Sequence, residues 1–135
     1  MGIYDKLVGN ATMGADLKHI KDYILEDEEI IASFQFIRDS IVLTNLGLYL
    51  VDVQGVTGKK VEVKFFPGKN IKSVSYETAG NFDLDVDIKI GVEGNTVMAS
   101  SGAFYSAPIS FKVPKKQAKE AKEIIKLVKV NYLCK

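Results

Sequence analysis

The chain has one cysteine and one histidine in 135 residues, and each shortage closes off a class of function. A single thiol cannot staple a fold, so nothing points to an oxidising compartment. Cys134 stands near a chain end with no second histidine to activate it, which excludes a thiol nucleophile. His19, read on a helix without a partner at ligand spacing, cannot supply the three or four ligands of a zinc site, and packing or surface is its reading. No helix-forming run is apolar enough to span a bilayer, because the most hydrophobic stretch, 34–53, is broken by Arg38 and Asp39. The first residues lack a basic region followed by an apolar core, so they do not read as a secretory signal. These shortages predict a cytoplasmic protein with no cofactor and no metal. No nucleophile with a base beside it can be assembled, so an enzyme is not expected.

What is present is ordinary in amount and uneven in place. Apolar residues make up 47% and charged residues 26%, a globular balance that supports one domain over 1–135. A chain of this size buries enough surface to fold without staples. Net charge is +1, yet from Lys115 onward there are seven lysines and two glutamates, which leaves the first 114 residues mildly acidic. A lysine-rich terminal helix reads first as a solvated face, with anionic attraction as the alternative. No nucleic acid is expected.

The chain is organised around 34–53, rich in Ile, Val, Leu, Phe and Tyr and free of proline. Polar breaks at Arg38-Asp39-Ser40 and Asn45-Leu46-Gly47 divide it into strands at 29–37, 40–45 and 48–53. Asn and Gly tolerate positive φ, so the second break reads as a tight hairpin turn. Before this meander lies an N-terminal helical segment, 1–26. Ile3, Tyr4, Leu7 and Val8 form the apolar face of a helix too short to persist undocked. Asp16 caps a second helix ending near Leu25, with Leu17, Ile20 and Ile24 buried and Tyr23 beside them. After the meander come strands at 60–66, 71–78 and 83–90. The last alternates as Asp83-Leu84-Asp85-Val86-Asp87-Ile88-Lys89-Ile90, apolar on one face and charged on the other. Gly94-Asn95 reads as a hairpin turn. A seventh strand falls within 96–112, interrupted at 99–103. Pro114 opens a helix running to about Tyr132.

Seven short antiparallel strands over 28–112, followed by one helix over 114–133, are the plan of a pleckstrin-homology-like (PH-like) barrel. The fold class is therefore mainly β: a bent seven-stranded antiparallel sandwich or barrel, capped by a C-terminal α-helix and preceded by two short helices. Leu43, Leu50, Val86 and Ile88 are its expected core. Ala118, Ala121, Ile125, Val128 and Tyr132 are the helix stripe expected to cap the strands. Ile124, Leu127, Val130 and Leu133 are surplus to one docked face.

Three motifs look like chemistry and fail on spacing. Gly55-Val-Thr-Gly58-Lys59-Lys60 has two residues between its glycines where a phosphate loop needs four. Asp83, Asp85 and Asp87 are followed by Ile88 and Gly94 where a calcium loop needs Gly and Glu, and a strand spaces them about 7 Å apart. Arg38 beside Asp39 is a structural ion-pair candidate rather than a catalytic one. Lys59 and Lys60 are the candidate anionic-ligand contacts, each adding about 1 kcal/mol near an anionic surface.

Gly9-Asn10-Ala11, Ile37-Arg38-Asp39, Leu43-Thr44-Asn45, Leu50-Val51-Asp52, Gln54 to Lys60 and Glu77 to Asp85 resemble the bacterial pleckstrin-homology-domain family over roughly residues 2–92. The resemblance implies a PH-like fold, no known catalysis and ring-shaped homo-oligomers, with a pentamer as one ring size. The sequence departs from the family at Leu46-Gly47, where two basic residues are expected, and across 100–108, an insertion. The functional expectation is a non-enzymatic interaction or scaffold module that self-assembles and presents a surface to a protein partner. Its candidate oligomer interface is Ile3, Tyr4, Leu7, Val8, Leu127, Val130 and Leu133. The alternative is a module peripheral to the membrane that binds lipid or another anionic ligand.

Overall fold

The computed structural model describes residues 17–37, 39–54, 60–78 and 85–135. They fall into two compact units, one up to Gly68 and one from Lys69.

The first unit is a four-stranded antiparallel meander: β1 (Ile30–Gln35), β2 (Asp39–Thr44), β3 (Gly47–Gln54) and β4 (Lys60–Pro67), in that spatial order. Each strand lies within two residues of its predicted bounds. Register is set at the β2–β3 turn, whose two loop residues, Asn45 and Leu46, place Leu43 opposite Leu48 and Asp39 opposite Asp52. Positive φ does not make this turn, contrary to expectation; among the described residues only Gly94 and Gly102 have it. Thr44 makes it instead, because its Oγ1 accepts from the N–H groups of Leu46 (3.1 Å) and Gly47 (3.2 Å). Gly47 is required for room: a Cβ there would lie 2.2 Å from the Phe66 carbonyl oxygen.

The sheet is buried on both faces around β2. Val42, Tyr49 and Val51 pack on one face with Leu17, Ile20 and Ile30, joined by the partly buried Ile24 and Val61. Phe34, Ile41, Leu43 and Leu48 are buried on the other face. Leu50, expected in this core, is only half-buried, because its neighbour on β4 is Lys64, too polar to seal it. The helix expected up to Leu25 is shorter, a single 3-10 turn at Leu17–His19 that continues as bonded turns to Tyr23. Leu17 and Ile20 are buried as expected, whereas Ile24 is only partly buried. The helix expected over 2–8 lies outside the described residues.

The second unit contains β5 (Ile71–Thr78), β6 (Val86–Val92) and β9 (Ile109–Val113), antiparallel in the order β5-β6-β9. Ile88, Ile90, Ile109, Phe111 and Val113 are buried, whereas Lys89, Ser110 and Lys112 face water, so period-two alternation holds. Val86, expected in the core, sits half-buried at the strand's first position, and Leu84 lies outside the described residues. The interrupted seventh strand is a further correction. Residues 96–106 form a separate hairpin, β7 (Thr96–Met98) with β8 (Phe104–Ser106), and only 109–113 joins the sheet. Gly94-Asn95 therefore does not join two paired strands. Asn95 is buried and anchors the hairpin base, its Nδ2 donating to the Ala107 carbonyl at 2.9 Å.

After Pro114, a 3-10 turn at Lys115–Gln117 leads into α1 (Ala118–Val128), and a π-helical turn, Lys129–Leu133, ends it. α1 packs on β5 and β6 through Ala121, Ile124 and Val128. Against expectation, Ala118 is exposed, and Ile125 and Tyr132 are half-buried. The π turn explains Tyr132: one extra residue per turn rotates everything beyond Val128. A closed barrel is not formed among the described residues: sheets of four, three and two strands stay open.

Candidate functional site

The most built feature of the first unit is a groove on one face of its sheet, a cavity of about 850 Å³. Alternation along β4 brings Val61, Val63, Phe65 and Pro67 to this face; Tyr49 comes from β3, and His19, Tyr23 and Leu25 come from the N-terminal turns. Tyr49 and Phe65 stack obliquely, ring centroids 4.7 Å apart at 52°. These walls are apolar, and a carboxylate lies among them.

That carboxylate is Glu28, only 3% exposed. Its Oε1 accepts from the Leu25 N–H (3.1 Å) and the Tyr49 hydroxyl (3.1 Å), and its Oε2 accepts from the Thr44 hydroxyl (2.7 Å). Three donors compensate a charge that no described cation pairs with. Burial first, and then the Glu28 charge, push the Tyr49 phenol well above its ordinary range, so it stays a donor. Thr44 thus ties the buried carboxylate to the β2–β3 turn. The arrangement can hold an apolar shape, and the Thr44 hydroxyl that donates to Glu28 is itself held in the β2–β3 turn by the Leu46 and Gly47 N–H groups.

A second acidic feature lies at the far end of β2, where Asp39 sits directly across from Asp52. Burial, a hydrogen bond with Asp52 and the Asp52 charge raise the Asp39 carboxyl to about 6. The Gln54 amide donates to Asp52 Oδ2 at 3.0 Å. Below about pH 6 Asp39 therefore keeps its proton beside Asp52, and near neutrality most copies have lost it.

The sequence-predicted residues fare unevenly. Ile3, Tyr4, Leu7, Val8, Arg38 and Lys59 lie outside the described residues, as do Asp83 and the glycine loop at 55–58. Lys60 opens β4, exposed. Asp87 bonds Lys112 across the sheet at 3.1 Å, as a polar strand face would. Val130 is exposed, Leu127 half-buried, and Leu133 lines a shallow groove with Ile125 and β5 residues 73–76. Cys134 is exposed. Among the described residues no cluster of three His, Cys, Asp or Glu could hold a metal, and no helix is long and apolar enough to cross a membrane. Glu28 was missed because it reads as one member of an acidic run, with bonding partners 16 and 21 residues away.

Open antiparallel sheets followed by a C-terminal helix define the PH-like fold, and the comparisons agree. A pleckstrin homology domain from Shewanella amazonensis SB2B superposes with a TM-score of 0.68 at 29% identity, covering 90% of this chain and 99% of that one. A DUF1696 family protein with a pleckstrin-homology domain from Shewanella loihica PV-4 gives 0.61 at 29% identity over 86% of this chain and 93% of that one. The uncharacterized protein YjqA of Bacillus subtilis (strain 168) is 44% identical over 110 residues, 77% of this chain and 86% of that protein. The sequence model of the bacterial PH domain matches residues 2–129, and the chain belongs to that family.

Proposed function

We propose that this protein is a non-enzymatic interaction module that self-assembles and presents an apolar surface to a protein partner. PH-like domains are generally binding modules, and the family sets that much. The observation that carries the rest is the β7–β8 hairpin. Met98 (64% exposed) pairs with Phe104 (71%) on one face, and Tyr105 (53%) lies on the other. An isolated two-stranded hairpin is at best marginally stable in water, and large apolar side chains on both of its faces favour cover by another chain. Val130 and the half-buried Leu127 add a second apolar surface on the terminal helix. The sheet edges invite pairing, and identical subunits joined head to tail close into a ring without a free end.

The test is sedimentation of the double variant Phe104→Ser, Tyr105→Ser beside Leu127→Asp. Both should shift the protein to smaller species while the β-sheet circular dichroism signal persists. Unchanged masses for both variants would remove these surfaces from assembly.

One observation favours an anionic surface as a second reading. Lys115, Lys119, Lys122, Lys126 and Lys129 recur at intervals of four and three and are all exposed, a one-sided basic stripe. Flotation with vesicles containing phosphatidylserine separates the readings. Salt-sensitive binding lost on Lys122→Glu, Lys126→Glu supports the membrane; no flotation supports the protein-partner reading.

A further inference from the structure

The groove under β3 and β4 has walls that water should not be left to cover. Tyr23 (71% exposed), Leu25 (59%), Phe65 (40%) and Val63 (38%) all line it, four large apolar side chains gathered on one feature. The wall along β4 from Val61 to Pro67 is about 20 Å long at ~3.3 Å per residue. That length suits a short helix lying along the groove.

The sequence supplies a candidate occupant. Residues 2–8 lie outside the described residues, and their i, i+1, i+4, i+5 spacing predicts a helix about 10 Å long with Ile3, Tyr4, Leu7 and Val8 on one face, too short to persist undocked. The connection from Gly9 to Asp16 reaches about 26 Å if extended, and it ends at Leu17, which is buried in the cluster beneath the groove. His19, two residues on, already lines the groove. A tether this short gives an effective concentration in the millimolar range, far above that of a neighbouring molecule in micromolar solution.

We propose that the groove is a receptor for a short amphipathic helix and that its occupant is residues 2–8 of the same chain. The segment lays Ile3, Tyr4, Leu7 and Val8 against Tyr23, Leu25, Val63 and Phe65. This goes beyond self-assembly and does not depend on it. It assigns the N-terminal apolar residues to the chain's own groove and leaves the hairpin and Val130 for partners. A foreign amphipathic helix would bind here only by displacing the resident one.

A disulfide scan of the full chain tests this. On a Cys134→Ser background, Leu7→Cys is combined in turn with Tyr23→Cys, Val61→Cys, Val63→Cys and Phe65→Cys, and each is mildly oxidised. Disulfides form only where Cα atoms approach within about 7 Å. The expected result is that at least one pair loses both thiols and stays at monomer mass on a denaturing non-reducing gel. Covalent dimers without intramolecular product would put a second copy's segment in the groove and overturn the proposal. No cross-link from any pair would leave the groove to another ligand and overturn it as well. Leu7→Asp in the unmodified chain is the independent check. It should raise the fluorescence of the dye 1-anilinonaphthalene-8-sulfonate several-fold with circular dichroism unchanged, and unchanged fluorescence counts against the docked segment. Light scattering of the same samples reports assembly separately, so the two readings fail independently.

Discussion

The two sheets meet the same need, burial of apolar side chains on extended backbone, in different ways. Around β2 the first sheet is buried on both faces, so Ile41, Val42 and Leu43 in succession are inside. Glu28, Thr44 and the Tyr49 hydroxyl share one interior network, whereas the buried Ser33 Oγ on β1 has no hydrogen-bond partner among the described residues. The second sheet is covered on one face only. Ile88 and Ile90 go in while Asp87 and Lys89 stay in water, where cross-strand pairs such as Lys112 with Asp87 (3.1 Å) decorate the surface. The Glu28 network of the first sheet is therefore structural, whereas surface pairs such as Lys112–Asp87 in the second are replaceable.

The largest effects test this parity. Leu43→Ala and Ile88→Ala should each cost about 2–5 kcal/mol in urea unfolding. The contrast lies in their neighbours. Val42→Ala should also cost more than about 1 kcal/mol, whereas Lys89→Ala should stay within about 0.5 kcal/mol. Equal costs at positions 42 and 89 would erase the distinction between the sheets.

Next in size is Glu28→Ala, which orphans the Tyr49 and Thr44 hydroxyls and the Leu25 N–H at once. It should destabilise by about 2–4 kcal/mol and return the Tyr49 phenol toward its ordinary titration range, read by ultraviolet absorbance against pH. A cost below about 0.5 kcal/mol would show the network to be incidental.

Asp39 sets a smaller, pH-dependent effect. Its folded carboxyl, raised to about 6 from 3.8, holds its proton more tightly than the unfolded one does. Its contribution is thus fully present below pH ~4 and is lost as pH rises through 6. Asp39→Asn should leave stability at pH 4 nearly unchanged and raise it at pH 7.5 by about 1 kcal/mol, discounted for partial exposure. A variant less stable at pH 7.5 would mean that a cation neutralises the pair. Lys112→Ala belongs with Lys89→Ala at the small end, within about 0.5 kcal/mol, because its ion pair with Asp87 lies at the surface.

How much of this could be read beforehand follows from the range of the interactions. Strands of the meander are legible because β-branched and aromatic runs broken by polar residues act locally. The Asp39–Asp52 pair was also legible in principle: a two-residue loop at Asn45-Leu46 places residues symmetric about it opposite one another. Arg38 beside Asp39 offers a nearer partner in the sequence. Glu28 was not legible, since its burial depends on Thr44 and Tyr49 folding over it. In the terminal helix, 3.6-residue periodicity fails at Tyr132 because Lys129–Leu133 adopts a wider turn, whereas Ala118 is exposed where the 3-10 turn passes into α1 and Ile125 is half-buried within the regular helix. The hairpin at 96–106 was read as an interrupted strand, because three-residue strands carry too little pattern to separate from a loop.

Self-assembly is the proposal that the exposed apolar surfaces and the open sheet edges motivate, and one number addresses it. Multi-angle light scattering of the unmodified protein at micromolar concentration should give a mass at a whole multiple of 14.9 kDa, two or greater, steady on dilution as a closed ring requires. A single species at 14.9 kDa across that range would contradict it and leave a monomeric PH-like module.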